Sequence, residues 1–396
     1  MPRYMVISAD CHAGLPAPMY RPYLEEKYRG DFDAYIEKKA PGRGRGMRRL
    51  FTREAIDDHA KEAKEAGGIE GFWQHSTRMK ELEAEGIVAE VIFPDGTDDN
   101  EAPFRKDPKA SPELLAAGAR AYNRWVAELC AEAPLRRIGL AVIGVEDVEA
   151  AVAEIRWAKQ AGLRGVMIPI KTKGLPNYYD ERYEPIWAAC EENELTLAIH
   201  GGGGSPDYGS GPAAILSYAS EVMFFSRRPV THLIWGGVFE RHPELHFSLT
   251  EARAGWVPEH FEYLDEIWKS KWMGFARDLI PQPPSEYWKR QCFVGASSMT
   301  PKEGRDREQI GLENIMWGAD FPHVEGTWPH SRKWLSRSLL EVPEAERRMI
   351  LGENAARAYR IDAATLAADV ERVGLCNEDF SREHAKGWGK LVFGDA

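Results

Sequence analysis

The 396-residue chain predicts an α/β barrel in which eight parallel strands are enclosed by helices. Three observations lead to this fold class. Short apolar runs recur eight times, most of them are apolar throughout, and segments with helical periodicity lie between them. Strands that helices bury on both faces have this composition, and the repeated order of strand and helix indicates a parallel sheet. Eight such units close most naturally into a (β/α)8 TIM barrel.

The predicted strands are short runs rich in β-branched residues: Tyr4–Ala9, Ile87–Pro94, Ile138–Ile143, Gly165–Pro169, Leu195–His200, Leu245–Thr250, Cys292–Gly295 and Ile315–Ala319. Helical periodicity predicts helices at Ser111–Ala133, Val148–Ala161, Arg182–Asn193, Ala252–Trp272 and Pro329–Leu340. A doubly wound open sheet is the alternative. It is disfavoured because no GxGxxG follows an early strand and Gly201–Gly204 lacks the Lys-Ser/Thr ending of a phosphate loop.

The chain is predicted to form a single domain with two additions to the barrel. About 75 residues separate the first predicted strand from the second, and connections of that length inside a compact domain usually carry function. We therefore expect residues 14–85 to form a cap or lid. Residues from about 361 to 396 are rich in helix-forming residues and predict a helical C-terminal extension.

Composition and charge argue against several kinds of partner and location for the protein. A net charge of −11, with both signs interspersed, argues against nucleic acid or an anionic membrane as the main partner, and the basic cluster Arg43–Arg49 is short and interrupted by glycine. The sequence contains no run of 18 apolar residues, so it predicts no membrane span. Five widely spaced cysteines without a CxxC pair fit a reducing compartment. We expect a cytoplasmic protein that acts on a small molecule.

Polar residues stand at the ends of three predicted strands. Asp10 and His12 follow the first strand, His200 ends the fifth, and Asp320 follows the eighth. In a barrel the carboxyl ends of the strands converge on one face, and an Asp-x-His in extended backbone points both side chains the same way. Two carboxylates and two imidazoles suit one divalent ion, Zn²⁺ first and Mn²⁺ as the alternative. Such an ion would make a water molecule nucleophilic.

Each of these residues also has a purely structural interpretation. Asp10 could cap a helix, either histidine could simply be hydrogen-bonded, and Asp320 could form a turn before Phe321-Pro322. Their joint placement at the ends of strands one, five and eight favours the metal site.

Several motifs resemble the amidohydrolase superfamily, and among its branches the one that contains aminocarboxymuconate semialdehyde decarboxylase. They are Asp10-Cys-His12, His200-Gly-Gly, Gly236-Gly-Val-Phe-Glu-Arg-His, Thr250-Glu251-Ala-Arg253-Ala-Gly-Trp256, Gly318-Ala-Asp320-Phe-Pro-His323, Trp328-Pro329 and Asn354-Ala-Ala-Arg-Ala-Tyr359. The resemblance implies one metal ion bound by Asp10, His12, His200 and Asp320. It also implies a homodimer or a higher homo-oligomer.

Two departures from the branch affect the predicted chemistry. Many relatives have His-x-His or Glu-x-His where this chain has Asp10-Cys-His12. The decarboxylases of the branch place a catalytic histidine at the end of strand six, where this chain has Glu251. A carboxylate can act there as a base or a metal ligand but not as a cationic donor, although it could also be a capping residue. Glu251 therefore favours hydrolysis over decarboxylation.

Four further residues are candidates for contacts with a substrate. His323 could touch the substrate or orient Asp320, and Arg253 could bind a carboxylate in bidentate fashion. Trp256 and, from the first crossover, His75 could line an apolar pocket. Each has a structural alternative: a loop histidine, a surface arginine, a core tryptophan and an ordinary insertion residue.

The function predicted from the sequence is a metal-dependent hydrolase of a small aromatic or ring-cleavage-derived molecule. Its catalytic residues would be Asp320, Glu251 and His200, with Asp320 or Glu251 handling protons. The alternative is a non-oxidative decarboxylase or a hydratase of an aromatic or unsaturated carboxylic acid. A third hypothesis is a barrel that binds a ligand without turnover.

Overall fold

Eight parallel strands pair in sequence order in the computed structural model. They are β1 (Ile7–Ala13), β2 (Ala89–Pro94), β3 (Arg137–Val142), β4 (Gly165–Met167), β5 (Thr196–His200), β6 (Phe247–Thr250), β7 (Cys292–Ser297) and β8 (Ile315–Gly318). The chain beyond β8 returns to β1, where Asp320 N–H donates to Asp10 O at 2.8 Å and His12 N–H donates to Phe321 O at 2.6 Å. These bonds close the barrel, so the predicted fold class is confirmed.

The structure describes residues 2–38, 52–66, 70–94, 100–107, 109–172 and 174–385. The basic cluster Arg43–Arg49 and the last eleven residues of the predicted C-terminal extension lie outside these ranges. All five cysteines lie within them and are unpaired. Among the helices in these ranges, none is both long and apolar enough to cross a membrane.

Helices cover the outside of the sheet. The longer ones are Arg29–Lys38, Arg53–Ala66, His75–Ala84, Pro112–Ala131, Val148–Gln160, Glu184–Glu192, Pro212–Trp235, Val257–Lys269, Pro284–Gln291, Ser331–Leu339 and Ala367–Val373. Shorter α-helices are Val238–Arg241, Ala276–Leu279, Pro301–Arg305, Arg307–Ile310, Glu344–Arg348 and Asn354–Ala358, and a π-helical turn spans Met349–Glu353. Side-chain caps stabilise several of the starts: Ser111 accepts from Leu114 N–H, Asp147 from Ala150 N–H and Thr300 from Glu303 N–H.

Two predicted elements differ from the structure in an instructive way. The first strand was predicted to end at Ala9 but continues to Ala13, because it pairs with β2 and with the chain after β8. The 24-residue helix Pro212–Trp235 was not predicted. It begins with a proline after a glycine-rich stretch and contains Pro229, and both features usually interrupt a helical pattern.

Apolar side chains from the strands fill the inside of the barrel. This inner layer contains Ile7, Ala9, Val91, Leu140, Phe293 and Met316. Tyr359, from the segment after the last barrel strand, is part of the same cluster. The preceding carbonyl, Ala358 O, accepts from Thr196 Oγ1 at 2.6 Å, and Thr196 is the first residue of β5. Tyr359 therefore closes the amino end of the barrel.

The long first crossover divides into helices with different positions. Helix Arg53–Ala66 contacts the loop after β8, where His59 Nε2 lies 3.1 Å from Pro322 O and Glu62 Oε2 lies 3.6 Å from His330 Nε2. Helix His75–Ala84 packs on the barrel wall through Arg78, which bonds to Glu90 of β2. The lid function predicted for residues 14–85 stays a prediction, and the structure places part of that segment beside the loop that carries Asp320.

Glu81 is an unusual carboxyl group in helix His75–Ala84. Its side chain is 3% exposed, and neither carboxylate oxygen has a hydrogen-bond partner among the described residues. Burial raises its pKa to about 7, although the positive charge of Arg78 opposes the shift. Because this pKa lies above the ordinary value of 4.5, the folded state loses stability as the pH rises through 7.

We predict that Glu81→Gln stabilises the protein above pH 7 by up to about 3 kcal/mol, since the amide needs no proton to stay neutral. The gain should fade as the pH falls towards 4.5, where folded and unfolded chains both bind the proton. Thermal unfolding from pH 4.5 to 8.5 measures it. Glu83→Gln is the control with the opposite sign, because hydrogen bonds from Arg372 and Arg136 lower the pKa of Glu83 to about 2. A pH-independent difference for Glu81→Gln would contradict the prediction.

Candidate metal centre

The end of β1 carries a β-bulge that turns Asp10 and His12 into the barrel. Ser8 pairs with Glu90 and Cys11 with Ile92, so that two residues of β1 lie opposite Val91. Ile7 and Ala9 already point into the barrel, and strict alternation would therefore send Asp10 and His12 outward. The bulge corrects the direction of both side chains.

Neighbouring groups stabilise the bulge and make room for Asp10. Ser8 Oγ donates to Asp10 O at 2.8 Å and accepts from Ala319 N–H at 2.9 Å, which ties β1 to the end of β8. At Gly318 a Cβ atom would lie 2.6 Å from Asp10 Cβ. Only glycine permits this approach.

The four predicted metal ligands come together at the carboxyl end of the barrel. Asp10 Oδ1 lies 3.5 Å from His12 Nε2 and 3.2 Å from His200 Nε2. His12 Nε2 is also 3.3 Å from Asp320 Oδ1. The two imidazole rings are 4.7 Å apart and nearly perpendicular. Asp10, His12 and His200 can therefore offer one ligand atom each to a shared ion, with Asp320 beside them.

Hydrogen bonds direct the Nε2 atoms of both histidines towards this centre. His12 Nδ1 donates to Pro94 O at 3.1 Å, and His200 Nδ1 lies 3.2 Å from Gly201 O and 3.2 Å from Glu251 Oε2. Each Nε2 then carries the lone pair that can bind a metal. His12 Nε2 is buried and has no hydrogen-bond partner in the part of the chain that the structure describes. Lone pairs and carboxylates this close repel each other unless a cation lies between them, so the residues fit a divalent metal.

The pKa shifts of the candidate metal ligands arise because charged side chains are packed closely together in a buried place. Burial alone would raise the pKa of Asp10, but His200 and His12 lower it. Burial would also raise the pKa of Asp320, but His323 and His12 together lower it. Burial and His323 oppose protonation of His12, yet the adjacent carboxylates of Asp10 and Asp320 raise its pKa. The buried carboxylates thus stay ionised and favour a positive charge between them.

Glu251 stands at the end of β6 and faces the same centre. Its Oε2 atom lies 3.2 Å from His200 Nδ1. Its φ of 53° is left-handed, as is that of Asp320, and such strained residues tend to cluster at functional sites. Burial raises the pKa of Glu251 to about 8, with a further contribution from Asp320 and Asp10, although His200 opposes the shift.

The structure brings some of the predicted substrate contacts to this cluster and not others. His323 Nδ1 lies 2.7 Å from Asp320 Oδ1, and its ring is 4.0 Å from that of His12. Arg253 follows Glu251 closely, and its carbonyl accepts from Trp256 Nε1. Trp256 itself packs against Trp288, 5.6 Å away, in the helical layer.

His75 is not brought to the cluster. Its Nδ1 atom lies 3.0 Å from Glu132 Oε2, outside the barrel and just before β3. The substrate-contact roles of Arg253, Trp256 and His75 stay predictions.

Four residues of the site were missed in the sequence. Ser297 Oγ donates a short hydrogen bond to Asp10 Oδ2, and the ring of Phe93 lies 4.6 Å from that of His200. Glu325 offers a carboxylate within 4.8 Å of ligand atoms of Glu251 and Asp320. Ser297 ends β7, and Phe93 is the next-to-last residue of β2. The rule that side chains at the carboxyl ends of barrel strands converge could therefore have identified both.

Tyr218 is the fourth missed residue, and it lies on the helix that was not predicted. Its hydroxyl donates to Gly202 O at 2.7 Å. Burial raises its pKa, and so do Glu251 and Glu325, which places it near both carboxylates.

An eight-stranded barrel with carboxylates and imidazoles at strand ends one, five and eight defines a class of metal-site enzymes. The chain belongs to the amidohydrolase family, because the model of that family matches residues 10–361. The family resemblance predicted from the motifs is therefore confirmed.

Two curated relatives are decarboxylases. Gamma-resorcylate decarboxylase of Rhodococcus jostii is 26% identical over 276 residues, which cover 62% of this chain and 77% of the relative. 2-Amino-3-carboxymuconate-6-semialdehyde decarboxylase of Dictyostelium discoideum is 25% identical over 298 residues, which cover 73% of this chain and 77% of the relative. The chain is an enzyme of this family.

A solved structure shares the fold. It is that of 5-carboxyvanillate decarboxylase from Novosphingobium aromaticivorans with bound manganese and 3-methoxy-4-hydroxy-5-nitrobenzoic acid. The TM-score is 0.64 at 18% identity, and the match covers 90% of this chain and 97% of that chain. The likeness supports the barrel assignment.

We predict that Ser297→Ala weakens binding of Mn²⁺ by about 10-fold or more, since groups that orient a metal ligand usually contribute this much. The substitution removes the hydroxyl that orients Asp10 Oδ2, an atom buried from water. Isothermal titration calorimetry with MnCl₂ measures the effect. Ser226→Ala is the control, because Ser226 is also buried and its hydroxyl donates to Val222 O in its own helix. Equal affinities for the two variants would refute an orienting role for Ser297.

Proposed function

We propose that the chain is a metal-dependent non-oxidative decarboxylase of a small aromatic or unsaturated carboxylic acid. The observation that carries this proposal is the cluster of Asp10, His12, His200 and Asp320 in a chain whose curated relatives are decarboxylases of resorcylate and of a carboxymuconate semialdehyde. The preference for hydrolysis rested on Glu251 alone. The relatives favour the alternative.

Asp10, His12, His200 and Asp320 would hold one divalent cation. When bound, the cation supplies a Lewis acid that neutralises the anionic groups of a carboxylate substrate. We propose Mn²⁺ as the resident ion, because the carboxyvanillate decarboxylase structure contains manganese. Zn²⁺, expected first from the sequence, is the alternative, since oxygen and nitrogen ligands accept either ion.

The reaction requires no oxidant and no water. The bond between the substrate carbon and its carboxylate breaks, CO₂ leaves, and the electron pair left on that carbon takes up one proton. His323 Nδ1 and Asp320 Oδ1 are 2.7 Å apart, so a proton can be held between them at the site. Glu251 Oε2 is a second carboxyl oxygen that can give or take a proton there.

The substrate would approach from the side of His200, Glu251 and His323. Their side chains are 12%, 20% and 17% exposed, whereas Asp10 and Asp320 are almost fully buried. The ring of Phe93 is fully buried 6.3 Å from the ring of His12, so it supports the cluster from the inside of the barrel.

Cytoplasmic location and self-association stay predictions from the sequence. Exposed apolar side chains at Trp272, Phe275 and Leu279 mark a surface where a second copy of the chain could pack.

The first test of the proposed function is release of CO₂ from a panel of hydroxybenzoates and unsaturated carboxylic acids by protein loaded with Mn²⁺ or Zn²⁺. Asp320→Asn and His200→Ala should lower kcat by at least about 100-fold, the size expected for loss of a group that acts in the transition state. His384→Ala, which changes an exposed histidine whose ring bonds to Asp379 O, should retain the wild-type rate. Hydrolysis of esters or amides without CO₂ release from any acid would restore the hydrolase hypothesis.

We predict a separate effect for Glu251→Gln, which keeps the shape of the side chain but removes its ability to exchange a proton. The value of kcat should fall by about 100-fold or more, while the content of bound Mn²⁺ stays near that of the wild type. Glu262→Gln, on the exposed face of helix Val257–Lys269, is the control. Loss of the metal together with activity would instead identify Glu251 as a ligand.

A further inference from the structure

Arg78 is a fully buried arginine on the outside of the barrel, next to the metal cluster. Its side chain is 0% exposed and projects from helix His75–Ala84 towards β1 and β2. Nε donates to Glu90 Oε1 at 2.8 Å, and Nη2 donates a short hydrogen bond to Glu90 Oε2. Glu90, in β2, is 1% exposed. The two side chains form a bidentate ion pair shielded from water.

The remaining nitrogen of Arg78 contacts the backbone of a metal ligand. Nη1 donates to His12 O at 2.8 Å and to Gly71 O at 3.0 Å. The N–H of His12 donates to Phe321 O, and its ring Nδ1 donates to Pro94 O. Every polar group of His12 except Nε2 therefore has a partner. Only the atom that can bind the metal is left without one among the described residues.

Arg78 also contacts the loop after β8, which carries Asp320. Its guanidinium carbon lies 5.0 Å from the centroid of the Phe321 ring, and Phe321 follows Asp320 directly. A cation over an aromatic face is attracted to it, more so when both are buried. The same guanidinium thus contacts the backbone of one ligand and the residue beside another.

Stability alone does not account for this pair. Removing two charges from water costs several kcal/mol, and apolar side chains of similar volume often stabilise a protein as well or better. What apolar side chains cannot supply is directed hydrogen bonds to two carbonyl oxygens. The planar guanidinium meets Glu90 with one edge and His12 O with another, a geometry that a lysine ammonium cannot reproduce.

We infer that Arg78, held by Glu90, is a positioning residue that fixes His12 and Asp320 in the arrangement that binds the metal. The inference rests on the ligand set of the proposed function. It assigns a role in the metal site to a residue outside the barrel that touches neither metal nor substrate. It also links the site to the crossover helix, through Arg78 itself and through Gly71.

A matched control is Arg136, which lies directly before β3 and pairs with the same helix. Arg136 is likewise buried, donates from Nη1 to Glu83 Oε1 at 2.6 Å, and donates from Nε to a backbone carbonyl, Val88 O, at 2.7 Å. Glu83 belongs to helix His75–Ala84, and Val88 O lies just before β2, at the amino end of the barrel. Arg136→Lys therefore disrupts a similar pair far from the metal cluster.

The experiment compares Arg78→Lys, Arg136→Lys and the wild type by three measurements: the Kd for Mn²⁺ from calorimetry, the visible spectrum of the Co²⁺-loaded protein, and the Tm. Both variants should lose stability. Arg78→Lys alone should raise the Kd by about tenfold or more and shift the Co²⁺ bands, because displaced ligands change affinity and ligand field together. Arg136→Lys should keep the Kd within about twofold, which is under 0.5 kcal/mol.

Two results would overturn the inference: an unchanged Kd and spectrum in Arg78→Lys, or equal weakening in both lysine variants, which would reveal only a loss of stability. If Arg78→Lys does not fold, Glu90→Gln decides in its place, since it keeps the shape and removes the charge that holds the guanidinium. Because Glu90 Oε1 also lies 3.5 Å from Arg137 Nε, Arg137→Lys is measured beside it and should keep the Kd within about twofold. Metal binding by the wild type with no loss in the variants leaves the proposed function standing. A wild-type protein that binds no metal overturns both.

Discussion

The candidate site depends on one buried carboxylate. Asp10 is inaccessible to water and lies between two imidazoles whose Nε2 atoms face it at 3.5 and 3.2 Å. A charge in that position is tolerable only with compensating positive charge and hydrogen bonds. The bulge in β1, the missing side chain at Gly318 and the hydroxyl of Ser297 all serve to place this carboxylate. Changes to any of them would act on the metal site before they act on the barrel.

Much of this arrangement could be predicted because it depends on local patterns. Buried parallel strands are apolar throughout, and ligands at strand ends converge in any closed barrel, so Asp10, His12, His200 and Asp320 could be found without coordinates. The direction of Asp10 and His12 was predicted for an incomplete reason, since regular alternation alone would have turned both outward. Pairing register is a tertiary property, and the sequence of β1 does not reveal the bulge.

Residues that act through packing or from outside the barrel could not be predicted. Trp256 was expected near the substrate because large aromatics often line pockets; its ring packs against Trp288 in the helical layer, and its contact with a substrate stays a prediction. Arg78 belongs to a helix that was not assigned from periodicity, and its partners come from three separate parts of the chain. A single sequence carries no information on such contacts, since they depend on how helices pack against the sheet.

Glu251 occupies the position where the resemblance implies a histidine, but its side chain has a different chemistry. The left-handed backbone at the end of β6 directs the residue to His200, whatever side chain stands there. A histidine in that place could carry a positive charge, whereas a carboxyl group is neutral or negative. The charge balance of the site therefore differs from that implied by the resemblance, and under the proposed function Glu251 would share proton transfer with Asp320 and His323.

The position of Tyr359 affects the route by which small molecules enter and leave the centre. Because Tyr359 closes the amino end of the barrel next to a layer of packed apolar side chains, the centre opens on the carboxyl side in the part of the chain that the structure describes. Under the proposed function, CO₂ would leave through the same opening as the organic product. Slow escape of CO₂ would let some of it recombine before release, which lowers the net rate in both directions and leaves the equilibrium between the acid and its products unchanged.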